Sequence, residues 1–229
     1  MRAARLLIAL ALACASVLPG RAQAIIAPYK FDIGGSLGMS GYIGDANGSN
    51  PFKHPGFTFD LGARYILDTR WAFRAALSSM GLKGDTSEIS DVLPSGEGPF
   101  SFTTTVWDLG VRCEFNFFNY GIGETYKRLR RWTPYLALGV GVSMASADDK
   151  TVVAPSLPMA FGFKYKPRER WNLWIEFSMT KVFSDKVDGI YELNHIKTDF
   201  YKNTDWFSRL AVGISYEFGR RCETCHYVD

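Results

Sequence analysis

The sequence predicts an all-β fold, a closed antiparallel transmembrane β-barrel of about eight strands behind an N-terminal signal peptide. Apolar and polar side chains alternate along about eight segments, as they do when the two faces of a strand meet different surroundings. Long polar loops and, mostly, short turns follow these segments alternately, which is the layout of small outer-membrane barrels. No apolar run approaches the roughly 18 to 20 residues that a membrane-spanning helix needs. The alternation therefore indicates that strands cross the membrane.

The N-terminal segment 1–24 has the pattern of a secretory signal peptide. Arg2 and Arg5 precede an apolar core at 6–18, and Ala22-Gln-Ala24 fits a cleavage site between small residues. We therefore expect an exported protein of the outer membrane, with the barrel at 25–219 and a periplasmic tail at 220–229. Removal of the signal would leave 23 basic and 23 acidic residues, so the net charge gives no reason to expect a nucleic-acid partner.

The first half of the mature chain predicts four strands, at 29–43, 57–65, 71–78 and 105–117. An apolar side chain occupies nearly every second position in each strand, and in the first strand this places Tyr29 on the apolar face. Residues 45–51 and 83–99 are rich in Gly, Pro, Asn, Asp and Ser and are predicted to be polar loops. Residues 67–70 form a tight turn between the second and third strands.

The second half predicts four more strands, at 135–144, 157–165, 171–180 and 205–219. The last is typical, because its apolar positions carry an aromatic residue near each end and aliphatic residues between them. A connection at 118–131 and a turn at 167–170 lie on one side of the predicted barrel, and the polar loop 184–204 lies on the other. An even strand count places both chain ends on the side of the short turns.

The polar face of the strands distinguishes a membrane barrel from a soluble lipocalin-like barrel, which would turn its apolar side chains inward. This face combines many Gly, Ala and Ser residues with charges of both signs, a mixture that fills a narrow interior by pairing. We expect interior ion pairs and no open pore, so that any function belongs to the rims. The predicted interior charges are Asp60, Arg64, Arg74, Asp108, Arg112, Glu114, Lys164, Glu176, Arg209 and Glu217.

Basic residues gather on the predicted inner rim, in the connection 118–131, the turn 167–170 and the start of the tail. One interpretation is contact with phospholipid head groups, and the other is a docking surface for an acidic periplasmic partner. The candidate docking residues are Lys127, Arg128, Arg130, Arg131, Arg168, Arg170, Arg220 and Arg221.

Two further features bear on chemistry. Cys222-Glu-Thr-Cys225-His226 has the form of a c-type haem attachment motif, but no surrounding domain would bury a haem. We expect a local disulfide between Cys222 and Cys225 or a pair of free thiols, and no metal or cofactor. His54 and His195 fall in outer loops, where an enzyme site would need them, but no triad spacing accompanies either one. A non-enzymatic protein is therefore predicted.

Short motifs in a consistent order extend over nearly the whole mature chain, namely Tyr42-Ile-Gly-Asp45, Arg70-Trp71, Phe115-Asn-Phe-Phe118, Trp132-Thr-Pro-Tyr135, Gly139-Val-Gly141, Phe161-Gly-Phe-Lys-Tyr165, Asn203-Thr-Asp-Trp206 and Tyr216-Glu-Phe-Gly219. Through these motifs the chain resembles the PorG-type outer-membrane proteins of Bacteroidota. The resemblance implies a component of the type IX secretion system, placed over a periplasmic ring of a lipoprotein and its partner subunit. A free-standing barrel serving adhesion or envelope stability is the alternative, and a lipid-modifying enzyme is a third.

Overall fold

The computed structural model describes residues 27–43, 55–85, 101–123, 128–147, 150–183 and 206–220. Eight strands form one closed barrel in which each pairs antiparallel with the next and the last pairs with the first. This confirms the predicted fold class. Among the described residues, no helix is long and apolar enough to cross a membrane. The strands are β1 (Tyr29–Ile43), β2 (Gly56–Ile66), β3 (Trp71–Asp85), β4 (Ser101–Asn116), β5 (Trp132–Ala147), β6 (Lys150–Arg168), β7 (Trp171–Val182) and β8 (Trp206–Arg220).

The two ends of the barrel differ in their connections. At one end, which we call the turn end, lie the β2–β3 turn, the β4–β5 connection, the β6–β7 turn, the first residues of β1 and the last residues of β8. At the other end, which we call the loop end, lie the last residues of β1, β3, β5 and β7 and the first residues of β2, β4, β6 and β8. The predicted alternation of loops and turns therefore corresponds to two distinct rims.

Several strands extend beyond the predicted segments at the loop end. β3 pairs with β4 as far as Asp85 opposite Ser101, so the first residues of the predicted loop 83–99 belong to a strand. β6 begins at Lys150, seven residues before the predicted start. The alternation of apolar residues marks only the part of a strand that needs an apolar face, whereas the backbone ladder requires no particular side chain. The prediction was therefore too short there.

The barrel is apolar outside and polar inside, the reverse of a soluble protein. Large apolar side chains such as Ile33, Leu61 and Val140 are 57%, 64% and 67% exposed on the outer face. A soluble monomer rarely exposes apolar area on this scale, but a surface that meets lipid requires it. The strand periodicity thus describes a lipid-facing exterior.

Tyr29 is the exception, and its predicted place on the outer face is wrong. Its side chain is only 1% exposed and turns into the turn-end mouth. Its hydroxyl donates to Glu169 Oε1 at 2.7 Å and accepts a hydrogen bond from Arg170 Nε at 3.1 Å. Gly219 precedes Arg220, the residue of β8 that pairs with Tyr29. Its φ of +73° is a left-handed conformation that departs from regular strand geometry. The strict alternation therefore does not reach Tyr29.

Candidate functional site: a filled interior and a basic rim

Glu176 on β7 is the centre of the interior charge network, and it is 1% exposed. Arg112 Nη1 lies 2.9 Å and Arg209 Nη2 3.0 Å from Glu176 Oε1. The hydroxyl of Tyr135 donates to Oε2 at 2.6 Å, and Arg74 Nη1 lies 3.6 Å from the same oxygen. One carboxylate therefore holds three guanidinium groups and a phenol from four other strands.

Asp60 on β2 provides a second carboxylate for two of these arginines. Arg74 Nη2 lies 2.8 Å from Asp60 Oδ1, and Arg209 Nη1 lies 3.1 Å from Oδ2. Of the three arginines around Glu176, Arg112 is thus the one with no second described carboxylate within ion-pair distance. This difference sets the expected cost of losing Glu176.

A second group of charges lies nearer the turn end. Arg64 Nη1 is 2.6 Å from Asp32 Oδ2, and Arg64 Nε is 2.7 Å from Glu114 Oε2. Lys164 Nζ lies 2.6 Å from the same Glu114 oxygen. The indole of Trp174 lies between this group and the Glu176 group. The guanidinium carbon of Arg74 is 4.9 Å from its ring centre, and that of Arg64 is 5.6 Å away. The polar interior is therefore continuous from one group to the other.

All ten predicted interior charges are buried in the barrel. Asp108 differs from the rest, because its described contacts are hydrogen bonds donated by the hydroxyls of Ser143 at 2.5 Å and Ser156 at 2.8 Å. It was expected in an ion pair, but small hydroxyl residues on β5 and β6 reach it instead. Among the described residues, six buried bases accompany six buried acids, so the formal charges balance.

Sequence reasoning missed two charged members of this interior, Asp32 and Lys166. Lys166 Nζ lies 2.6 Å from Glu217 Oε1 and is buried because β6 continues past a register irregularity between Tyr165 and Arg168. Asp32 stands on the polar face of the first predicted strand, so the alternation of apolar and polar residues could have placed it inside the barrel. Lys166 continues the alternation that places Lys164 inside, but the predicted strand ended at residue 165, one residue before it.

The turn-end mouth is occupied by two tyrosines. Tyr29 is bonded to Glu169, and Tyr120, in the β4–β5 connection, donates its hydroxyl to Asn172 Oδ1 at 2.8 Å. Burial, and secondarily the nearby Glu217 carboxylate, raises the pKa of Tyr120 above its ordinary value. A cavity of about 30 Å³ lies behind it, lined in part by Lys166 and Asn116, with room for one or two waters. Both tyrosines are thus hydrogen-bonded on the turn-end side of the charge network.

The loop-end half of the lumen contains a buried apolar cluster that the sequence analysis did not predict. It lies beyond the Glu176 group and turns side chains of six strands toward one another. Apolar packing of this kind excludes water from the charges below it. Its members are Met80, Val106, Ala145, Ala154, Val182 and Phe207. The interior is thus filled at three levels: tyrosines, charges and apolar side chains.

The turn-end rim carries the candidate docking residues. Six of them are exposed in the described part of the chain, namely Arg128, Arg130, Arg131, Arg168, Arg170 and Arg220. Lys30 and Arg70 join them on the same rim. Asp68, by contrast, is engaged with the backbone N–H groups of Arg70 and Trp71 at 2.6 and 2.7 Å. Exposed bases therefore predominate on this rim.

Arg170 is fixed within the rim by hydrogen bonds. Its Nη1 donates to the Tyr216 hydroxyl at 2.9 Å, and its Nε donates to Tyr29. These bonds, that to Tyr216 foremost, raise the pKa of Arg170 above its ordinary value. Its charge is thus a constant feature of the rim.

Several predicted features lie outside the described residues and stay predictions. They are the signal peptide 1–24, Lys127, Arg221, the Cys222–Cys225 disulfide and the loop histidines His54 and His195. Within the part of the chain that the structure covers, no group of three or more His, Cys, Asp or Glu residues could hold a metal ion.

Solved barrels share this architecture. Neisserial surface protein A (NspA) superposes with a TM-score of 0.55 at 14% identity, covering 82% of this chain and 97% of that one. The outer membrane protein OprG from Pseudomonas aeruginosa gives 0.48 at 12% identity, with 85% and 99% covered. Ail, the attachment invasion locus protein of Yersinia pestis, gives 0.47 at 11% identity in its complex with a heparin analogue, with 83% and 99% covered.

At these identities the likeness concerns the fold, and the fold is that of small eight-strand outer-membrane barrels. No curated protein matches the sequence. The family whose description reads "Domain of unknown function (DUF6089)" matches residues 16–227, nearly the whole chain. The chain therefore belongs to the DUF6089 family.

Proposed function

We propose that this protein is a non-enzymatic outer-membrane component of a type IX protein secretion apparatus, where it anchors or positions a periplasmic ring complex. The observation that carries the proposal is the contrast between a filled lumen and an exposed basic rim. When paired charges and apolar side chains fill the interior of a barrel, its two rims are the surfaces left to bind a partner. Support for the secretion role comes from the motif resemblance to PorG-type proteins.

Outer-membrane location is supported by two features of the chain. The exterior is a band of exposed apolar side chains, and the N-terminal segment is predicted to direct export. In bacterial barrels the short turns face the periplasm and the long loops face outward. The turn end, with its exposed arginines, would then meet a periplasmic partner.

Electrostatic complementarity is the proposed basis of docking. Arg128, Arg131, Arg168 and Arg220 are exposed at three separate corners of the turn end. Bases spread around a rim can orient an acidic ring-shaped partner and speed its encounter, with a strong dependence on salt. The partners expected from the resemblance are the ring lipoprotein and its partner subunit.

The test is affinity purification from outer membranes in mild detergent, with co-purifying proteins quantified by mass spectrometry. The triple variant Arg131→Glu, Arg168→Glu and Arg220→Glu reverses charge at three rim corners. Its matched control, Lys83→Glu, Lys150→Glu and Lys181→Glu, makes the same charge change at the loop end. We expect wild type and control to retain a periplasmic ring lipoprotein and the rim variant to lose it.

Two results would refute the proposal. One is recovery of the wild-type barrel alone across several mild detergents, which would direct attention to the outer loops and to adhesion. The other is equal loss of the ring protein in the rim variant and the loop-end control, which would mean that its binding does not depend on the rim.

A further inference from the structure

We propose that Arg130 and the aromatic side chains beneath it form a binding site for the phosphate of an anionic phospholipid. The site lies at the β4–β5 corner of the turn end and is separate from a protein-docking role of the rim. Its floor, which we call the aromatic shelf, consists of Phe118, Trp132 and Phe163.

The aromatic shelf is a continuous set of rings at the start of β5. Phe118 and Trp132 meet edge to face with ring centres 5.1 Å apart, and Trp132 and Phe163 stack at 5.7 Å. Trp132 is 41% and Phe163 40% exposed on the outer face of the barrel. Aromatic rings at this position, at the end of an apolar exterior, mark the level of the membrane interface. The shelf therefore lies where lipid head groups begin.

Arg130 rests on this shelf. Its guanidinium carbon lies 4.3 Å from the ring centre of Phe118 and 5.6 Å from that of Trp132. Its backbone is held on both sides, since its N–H donates to Asn119 O at 2.8 Å and its C=O accepts from Gly121 N at 2.9 Å. The backbone position is thus fixed, and cation–π contact places the charge over the rings.

Other arginines of the turn end have different surroundings. Arg170 donates to two tyrosine hydroxyls, and Arg70 Nε donates to Asn119 Oδ1 at 2.9 Å. The contacts that place the Arg130 guanidinium are with aromatic rings, and among the described residues no hydrogen bond from its side-chain N–H groups competes for a ligand. A planar fork of N–H donors matches two oxygens of a phosphate.

Charge near the site selects the class of lipid. Arg128 and Arg131 are exposed on either side of Arg130, so the corner carries an excess of positive charge. A lipid with net negative charge gains from this field, whereas the ammonium group of a zwitterionic lipid offsets the gain. The fitting ligand is therefore an anionic phospholipid with its phosphate on Arg130 and its acyl chains along the shelf.

The first test measures lipid retention by the full-length barrel taken from nanodiscs of mixed phosphatidylglycerol and phosphatidylcholine. Native mass spectrometry gives the ratio of the two lipids bound to the wild type, to Arg130→Gln and to the control Arg168→Gln. We expect enrichment of phosphatidylglycerol to fall about fivefold in Arg130→Gln, the effect of roughly 1 kcal/mol per basic residue, and to persist in the control. Unchanged enrichment in Arg130→Gln, or an equal fall in Arg168→Gln, would overturn the site.

A second test does not depend on an Arg130 variant folding. Phosphatidylglycerol or phosphatidylcholine with brominated acyl chains quenches tryptophan fluorescence, and Trp132→Phe identifies the share that comes from Trp132 while keeping the shelf aromatic. We expect Trp132 to be quenched more by the brominated phosphatidylglycerol, and inorganic phosphate at the same concentration to leave that difference in place. Equal quenching by both lipids, or its removal by inorganic phosphate, would contradict a phospholipid site.

Discussion

Replacement of Glu176 is the sharpest test of the interior charge network. The carboxylate holds Arg112 and Arg209 at 2.9 and 3.0 Å and accepts the Tyr135 hydroxyl at 2.6 Å. In Glu176→Ala, Arg74 and Arg209 still have Asp60 at 2.8 and 3.1 Å. Arg112 is the member left without a described carboxylate. The expected cost is therefore that of one unpaired buried charge, about 3 to 5 kcal/mol, and not three times that amount.

The measurement is urea unfolding of the refolded barrel in detergent micelles, followed by the gel mobility of unheated samples. With a slope of about 2 kcal/mol per molar urea, the midpoint of Glu176→Ala should fall by about 2 M. Glu176→Gln keeps an acceptor for Tyr135 and should lose less. The double variant Glu176→Gln with Arg112→Met removes the unpaired charge and should recover part of the loss.

The network interpretation has a clear point of failure. A midpoint for Glu176→Ala within about 0.5 M of the wild type, which corresponds to roughly 1 kcal/mol, would mean that the interior charges are solvated. A double variant less stable than Glu176→Gln alone would likewise show that Arg112 has another stabilising partner. Glu169→Gln at the exposed rim is the control for a lost carboxylate and should cost less than about 1 kcal/mol.

Three further predictions concern space, protonation and permeability. Gly213→Ala should destabilise the barrel by more than about 2 kcal/mol in the same urea assay, because its Cβ would collide with the Trp174 ring; Gly81→Ala, whose nearest atom would be 3.9 Å away, should not. The pKa of Tyr120 is raised in the folded state, so its contribution to folding stability is complete below the unfolded pKa of about 10 and declines as the pH rises above it. Urea midpoints of the wild type should therefore fall more steeply with alkaline pH than those of Tyr120→Phe. Parallel curves would refute this. The purified barrel should give no steady current in planar bilayers because its lumen is filled, and a stable ohmic conductance would contradict the filled interior.

The strand pattern was predictable because it is local. An apolar residue at every second position shows which face of a strand meets lipid, and the ten interior charges all stand on the opposite parity. Prediction failed where the reason for a position is not local. Tyr29 turns inward to reach Glu169 and Arg170, which follow it by about 140 residues. Polar strand ends such as Lys83–Asp85 pair because a neighbouring strand is present.

Counting short and long connections in the sequence located the basic rim, but it did not show what each arginine of the rim contacts. The sequence places Arg130 and Arg170 in two inner connections with equal charge. Only the packing distinguishes a guanidinium that lies over the Phe118 ring from one that is hydrogen-bonded to Tyr216 and Tyr29. The proposal of a lipid site at Arg130 therefore depends on the packing and could not have been made from the sequence.

By itself the sequence determined the closed eight-strand barrel, its apolar exterior and the identity of most interior charges, because strand periodicity records which side of each strand is buried. The tertiary structure decided which charges meet. Arg64 and Glu114 are 50 residues apart in the chain, and Arg209 and Ser78 are 131 apart, yet each pair is in contact. Barrel closure brings such positions together through the registers of all the strands between them. No local sequence pattern specifies this combined register.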